Sequence, residues 1–201
     1  MDALDRIVDG MASSGWVALP GFFGEAEVRA LAAESAQLLR GGAFHDAAIG
    51  TGARQRVDED IRTDQILWLE PAGSSEVQRA CLAKFEQVRL RLNRDLQLGL
   101  FEFECHFARY APGAFYRRHV DQFSRDSRRR VSSILYLNPG WEAACGGALR
   151  LYLERKPESA HVDILPDAGT LVLFLSERFP HEVLPATRER LSLTGWFKAR
   201  G

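Results

Sequence analysis

The spacing of apolar residues changes character near Phe101. Before that point apolar positions fall three and four apart, the period of one helix face. Glu25–Leu39 carries Val28, Leu31, Ala32, Leu38 and Leu39 at such spacings. The stretch from Ser74 to Leu98 repeats the pattern with Val77, Cys81, Phe85, Val88, Leu92 and Leu96, behind Ser74 or Ser75 as N-cap. A shorter helix is predicted over residues 2–12, ending before Gly15, and a strand over Trp16–Leu19. Between the long helices lie a Gly-rich loop, Ala47–Ala53, and an extended stretch, IRTDQILWLE, at 61–70.

After Phe101 the apolar residues form short or alternating runs at 101–110, 115–121, 130–137, 148–153, 161–164, 170–175, 180–184 and 190–197. APG, NPG, CGG and PDAG break them, as turns break an antiparallel sandwich. The expected fold is mainly β with α. Two four-stranded sheets would form a jelly roll, the double-stranded β-helix, with the helices of the N-terminal half packed on one sheet. Neither repeats nor a linker divide the chain, so residues 1–201 read as a single domain in which 1–100 support a core at 101–201.

Charge and cysteine content narrow the partners. A net charge of -1 gives no general attraction to nucleic acid or an anionic membrane. Cys81, Cys105 and Cys145 are odd in number and far apart, which suits neither a disulfide framework nor a CxxC zinc site. MDALDRIVDG has three aspartates and no long apolar run, and no segment reaches the length of a membrane span. A soluble cytoplasmic protein with no membrane contact is expected.

Candidate chemistry starts at RRHVDQF, where His119 and Asp121 are two apart on a predicted strand and so share a face. HxD alone is more often an ordinary surface pair. A second histidine from a neighbouring strand would complete a two-His, one-carboxylate facial triad, which leaves open positions on iron(II) for a bidentate cosubstrate and dioxygen. PHEVLPATRERLSLTGWF offers His181 for that place and, nine residues on, Arg190. A guanidinium there binds a carboxylate through two hydrogen bonds and keeps its charge. The alternative, a surface arginine in a charged turn, is opposed by alternation: Arg190, Ser192, Thr194 and Trp196 form one polar face, with Leu191, Leu193, Gly195 and Phe197 on the other. Tyr136, in SSILYLNPGW, is a second candidate for the carboxylate or else a buried structural tyrosine, and Tyr110, in ARYAPG, stands between the same two readings. His45, His106 and His161 lack partners at ligand spacing and read as structural or solvent-exposed.

The ordered segments RYAPGAFYRRHVDQF, VSSILYLNPGW, GGALRLY and PHEVLPATRERLSLTGWF resemble the prolyl 4-hydroxylase-domain family of 2-oxoglutarate/Fe(II)-dependent dioxygenases, in particular its hypoxia-type group and bacterial relatives. IRTDQILWLE extends the likeness into the first half, as a strand flanking the substrate groove. The resemblance implies a single dioxygenase domain with residues 101–201 as its catalytic core. It implies iron held by His119, Asp121 and His181, the 2-oxoglutarate C5 carboxylate held by Arg190 and Tyr136, and Tyr110 near the cosubstrate. By the same likeness Arg130 and Trp196 border the prolyl substrate, with Arg62 and Asp64 on the groove's flank. Arginine rather than lysine at 190 is similar to the hypoxia-type branch and favours a short protein motif over a collagen repeat.

The activity so implied is 4-hydroxylation of a prolyl residue in a protein, with dioxygen as cosubstrate, succinate and carbon dioxide as coproducts and ascorbate as reductant. The bacterial relatives point to elongation factor Tu as a first candidate substrate. The loop from Gln122 to Arg130, with Arg125, Arg128, Arg129 and Arg130, reads first as solvated surface and second as a contact for an acidic target. The same scaffold also serves hydroxylation of a free amino acid or small metabolite. A nucleic-acid demethylase usually carries a further arginine on the pocket strand, where this chain has LSLTGWF after Arg190. A non-catalytic jelly-roll binding module would leave the ligand set without a use.

Overall fold

The computed structural model describes residues 2–49, 56–122, 128–156 and 160–200. Three helices lead. α1 (Ala3–Ser13) starts on a reciprocal cap between Asp2 and Asp5 and buries Ile7 and Met11. α2 spans Glu25–Arg40, and α3 spans Glu76–Leu96 behind Ser75, whose hydroxyl accepts from the Gln78 N–H. Cys81, Phe85, Val88 and Leu92 form the buried stripe of α3, which follows the predicted spacing. No described helix is long and apolar enough to cross a membrane.

The strands form a seven-stranded and a four-stranded antiparallel sheet. The larger runs, edge to edge, β1 (Trp16–Leu19), β11 (Leu171–Leu175), β8 (Arg129–Tyr136), β13 (Arg190–Ala199), β6 (Leu100–Tyr110), β5 (Gln65–Trp68) and β2 (His45–Asp46). The smaller runs β10 (His161–Ile164), β9 (Leu149–Tyr152), β12 (His181–Val183) and β7 (Tyr116–His119). The expected jelly roll is therefore present, but one sheet exceeds four strands because β1, β2 and β5 from the first half extend both of its edges. β1 has the predicted bounds and β5 falls within the extended stretch predicted at 61–70, whereas the two residues of β2 are too few for period 2 to show. Of the Gly-rich loop, Ala47 is buried, Ala48–Ile49 (β3) pairs with Arg56–Val57 (β4) as a separate small ladder, and residues 50–53 lie outside the described residues. Arg125 does too.

Alternation along the central strands divides the interior in two. On one face of the seven-stranded sheet, Phe107, Val131, Leu135, Leu171, Leu193 and Phe197 pack with Phe85, Val88 and Leu92 of α3. On the other face Ala108, Tyr110, Ile134, Tyr136, Val172 and Phe174 meet Leu149, Leu151 and Val183 of the smaller sheet. Residue 195 must be glycine for this packing, because a Cβ there would lie 2.5 Å from the Glu104 carbonyl oxygen and 2.7 Å from the Phe103 ring. Helices thus close one side of the large sheet and leave the space between the sheets for a site.

Candidate active site

β7 and β12 are neighbours in the smaller sheet, and their register sets His181 opposite His119. β7 ends at His119, so Asp121 sits just past the strand end rather than on it, with its side chain still turned inward and buried. Asp121 Oδ1 lies 3.5 Å from His119 Nε2, and Oδ2 lies 3.6 Å from His181 Nε2. One ligand atom from each residue falls within 4.8 Å of the others.

The backbone fixes both imidazoles. His119 Nδ1 is 2.8 Å from the Arg117 carbonyl and His181 Nδ1 is 3.1 Å from the Phe179 carbonyl. A carbonyl can only accept, so each Nδ1 carries the proton and each Nε2 presents its lone pair to the space beside Asp121. Tyr116 stacks on His119 at 3.6 Å between centroids, and Phe174 meets His181 edge-on. Burial, with His119 beside it, lowers the His181 pKa to about 4, so the ring is a neutral ligand at neutral pH. Burial alone would raise the Asp121 carboxyl; the charge that either imidazole carries when protonated and the hydrogen bond from Ser132 lower it instead. Two neutral imidazoles and one carboxylate on one side of a void fit a first-row divalent metal.

That carboxylate has its own support. Ser132 Oγ donates to Asp121 Oδ2 at 2.7 Å and lies 2.9 Å from Ser176 Oγ. The Ser132 proton is committed to the carboxylate, so Ser176 must donate to Ser132, and the chain has one direction.

The cavity beside the triad has a volume of about 170 Å³. Arg190 lies at one end of it, 1% exposed. Its Nε donates to the Gly147 carbonyl at 3.0 Å, and the guanidinium lies 5.0 Å from the Tyr110 ring centre and 5.1 Å from that of Tyr136. Gly147 is kept small by crowding: a Cβ there would stand 2.9 Å from Ala186 and 3.0 Å from Trp141. Arg190 Nη2 and the Tyr136 hydroxyl are buried without a hydrogen-bond partner among the described residues. Burial pushes the Tyr136 phenol up to about 12, against the nearby Arg190 charge, and raises Tyr110 further. A fixed cation and a neutral phenol, both with unused donors, fit the far carboxylate of a dicarboxylic acid.

The other sequence candidates divide. Trp196 lines the cavity, as does Arg62, which grips Asp64 in two hydrogen bonds of 2.8 and 2.6 Å and lies over the Tyr116 ring. Asp64 is 1% exposed and reaches the cavity only through Arg62. Arg130 is not brought to the site; its side chain is exposed, and Arg129 lines the cavity in its place, stacked 3.6 Å over Trp196 and paired with Glu104. The register explains the exchange. Phe197 faces Val131 and Lys198 faces Arg129, so Arg130 is the unpaired residue of a β-bulge, which turns its neighbour inward. His45 and His161 are exposed, whereas His106, also set aside in the sequence, is 3% exposed and lines the cavity. Alternation with Ala108 and Tyr110 along β6 was the signal that could have found it. Trp68 and Tyr116 also line the cavity.

Comparison with known proteins agrees with this geometry. Residues 105–198 match the family model of the 2OG-Fe(II) oxygenase superfamily. The chain is 30% identical to Egl nine homolog 1 of Mus musculus over 97% of its own length and 49% of that protein's. Against the hypoxia-inducible factor prolyl hydroxylase of Caenorhabditis elegans it is 29% identical, over 96% of this chain and 28% of the relative. The chain therefore spans half or less of these two curated relatives. Among solved structures it superposes on a prolyl-4-hydroxylase of Pseudomonas putida with a TM-score of 0.88 and 49% identity, over 98% of this chain and 100% of that one. A Trichoplax adhaerens prolyl hydroxylase, solved with a hypoxia-inducible factor peptide, gives a TM-score of 0.86 at 30% identity, covering 97% and 88%. The epimerase SnoN, at 17% identity and a TM-score of 0.70, shares the fold alone. The chain belongs to the 2OG-Fe(II) oxygenase superfamily and, within it, to the prolyl hydroxylases of the hypoxia-type and bacterial group.

Proposed function

We propose that this chain is an iron(II)- and 2-oxoglutarate-dependent dioxygenase that hydroxylates a prolyl residue, at the 4-position, in a protein substrate. The observation that supports this most is the pairing, in one cavity, of a three-ligand cluster with a buried arginine whose Nη2 has no partner among the described residues. Full-length likeness to a prolyl-4-hydroxylase supports the choice of substrate class. When bound, iron and 2-oxoglutarate supply the oxidising power that inserts one atom of dioxygen into a C–H bond, with succinate and carbon dioxide as coproducts.

The residues of the chain do the positioning. His119, Asp121 and His181 hold the metal on one side only, and the two Nδ1–H to carbonyl bonds keep each imidazole from turning away. Arg190 takes the distal carboxylate of 2-oxoglutarate as a charged fork while Tyr136 donates its phenolic proton, and Tyr110 walls the cosubstrate. Tethering both ends matters because misplacing a reacting group by about 1 Å can cost roughly 100-fold in rate. Trp196 and Arg129 form one wall of the prolyl site and Arg62, held by Asp64, the other.

Ser132 carries a prediction of its own. Ser132→Ala removes the proton that anchors Asp121 Oδ2 and should weaken divalent-metal affinity by about 10- to 100-fold, the usual effect of losing a partner of a ligand. Ser132→Thr keeps the hydroxyl and should stay near the native value. Calorimetric titration of the metal-free protein with manganese(II) checks this; equal affinities for native and Ser132→Ala proteins would refute it.

The function is tested by succinate formation from 2-oxoglutarate under air, with iron(II) and ascorbate, in the presence and absence of proline-containing peptides, those of elongation factor Tu among them. The expected result is peptide-stimulated turnover with a gain of about 16 Da on one proline, one inserted oxygen atom. Turnover that modifies no peptide would overturn the prolyl reading while keeping the dioxygenase.

A further inference from the structure

The cavity end remote from Arg190 holds, beside Trp196 of the prolyl wall, two residues the reaction described so far does not use, His106 and Trp68. Along β6, Tyr110 is paired with Arg190, and His106 lies four residues back, paired with Thr194 of β13 and Trp68 of β5. At about 3.3 Å per strand residue His106 is on the order of 13 Å from Tyr110, beyond the reach of a five-carbon acid tethered at Arg190. Its ring meets Trp68 edge-on at 4.7 Å and tilts against Trp196 at 5.5 Å. All three line the cavity, and Trp68 is 36% exposed.

Two polar atoms in this aromatic cluster are buried with no hydrogen-bond partner among the described residues: His106 Nδ1 and Trp196 Nε1. A leucine or methionine would pack between the indoles without that cost, so a bare nitrogen at residue 106 implies a partner that arrives with the substrate. Burial, with Arg62 and Arg129 near, lowers His106 to about 3, so the ring is neutral and offers one donor and one acceptor. Trp196 offers only a donor. One donor-only indole beside an imidazole of either polarity matches the peptide unit on the C-terminal side of a proline, whose carbonyl accepts and whose N–H donates; the unit on the N-terminal side has no N–H.

We infer that His106 is a specificity-determining residue that, with Trp196, takes the polar atoms of the peptide unit on the C-terminal side of the target proline. The inference rests on the prolyl reading above, and it favours a substrate in which the proline is held within an extended backbone over a free amino acid. Trp68, at the mouth, supplies the apolar surface beside that backbone.

The test uses the iron-loaded full chain and the proline-centred peptide giving the strongest wild-type turnover in a peptide array. His106→Phe keeps an aromatic ring against both indoles and removes both nitrogens; His106→Asn keeps a polar atom close to the position of Nδ1. His106→Phe should raise the peptide KM by about tenfold or more, with kcat, the 2-oxoglutarate KM and iron content unchanged, and His106→Asn should stay within about threefold of wild type. A His106→Phe peptide KM within about twofold of wild type overturns the inference. So does His106→Asn impairment equal to that of His106→Phe, which would assign the effect to ring packing. If the wild-type chain converts 2-oxoglutarate but modifies no peptide, the prolyl reading itself fails and takes this inference with it.

Discussion

His119→Ala and Asp121→Ala are each expected to reduce succinate formation to background and to weaken iron(II) binding by well over 100-fold. The size follows from the site's economy. Only three described side chains form the cluster, and no fourth described histidine, cysteine or carboxylate joins it to replace a lost ligand. Loss of a residue that merely supports a ligand costs about 10- to 100-fold, so loss of a ligand must cost more. Asp121 has the larger role of the two, because it brings the negative charge and lies within 3.6 Å of both imidazole Nε2 atoms. Folding should survive, since neither side chain belongs to the two apolar clusters. Turnover and equilibrium dialysis of iron check the point, with near-ultraviolet circular dichroism as the folding control. Full activity of His119→Ala at ordinary iron concentration would remove the triad from the mechanism.

The reach of sequence reasoning here followed how local each feature is. The clustering of His119, Asp121 and His181 and the burial of Arg190 were legible because few residue types suit metal and carboxylate chemistry; period 2 puts His119, His181 and Arg190 inward, and Asp121 keeps that side although β7 ends before it. The helices α2 and α3 were legible for a like reason: four turns or more repeat one apolar stripe. Arg129 was missed in favour of Arg130 because a bulge adds one residue to a strand and exchanges the faces of the residues on its far side, and nothing local announces it. Ser132 and Ser176 are 44 residues apart and look like ordinary strand serines, so only their meeting at Asp121 reveals a directed pair. His106 was set aside by a search for ligand spacing, although β6 alternation already placed it beside Ala108 and Tyr110. A residue that serves substrate rather than metal has no spacing rule to betray it.

Arg190→Met is expected to raise the 2-oxoglutarate KM by about 100-fold or more while leaving the melting temperature unchanged or higher. The first effect comes from the loss of a charge-assisted, two-pronged contact in a buried site, where removing one partner of such a pair costs on the order of 2–5 kcal/mol. Methionine fills much of the arginine stem's volume, so the cavity wall should hold and kcat at saturating cosubstrate should fall much less than affinity. The stability effect has the opposite sign from the usual core substitution. Without cosubstrate Arg190 is 1% exposed, keeps a hydrogen bond from Nε to Gly147 and leaves Nη2 with no partner among the described residues. A buried charge so incompletely paired is retained at a cost to folding, and apolar replacement of similar volume is often neutral or stabilising. Arg190→Lys separates charge from shape: it restores a point charge without the planar fork and should recover only part of the affinity. The two measurements, cosubstrate titration and thermal melting of the cosubstrate-free protein, must separate, with affinity falling while the melting temperature holds or rises. A 2-oxoglutarate KM within threefold of native would show that the carboxylate is held elsewhere, and a large fall in melting temperature would make Arg190 a structural residue whose unpaired nitrogen serves no ligand.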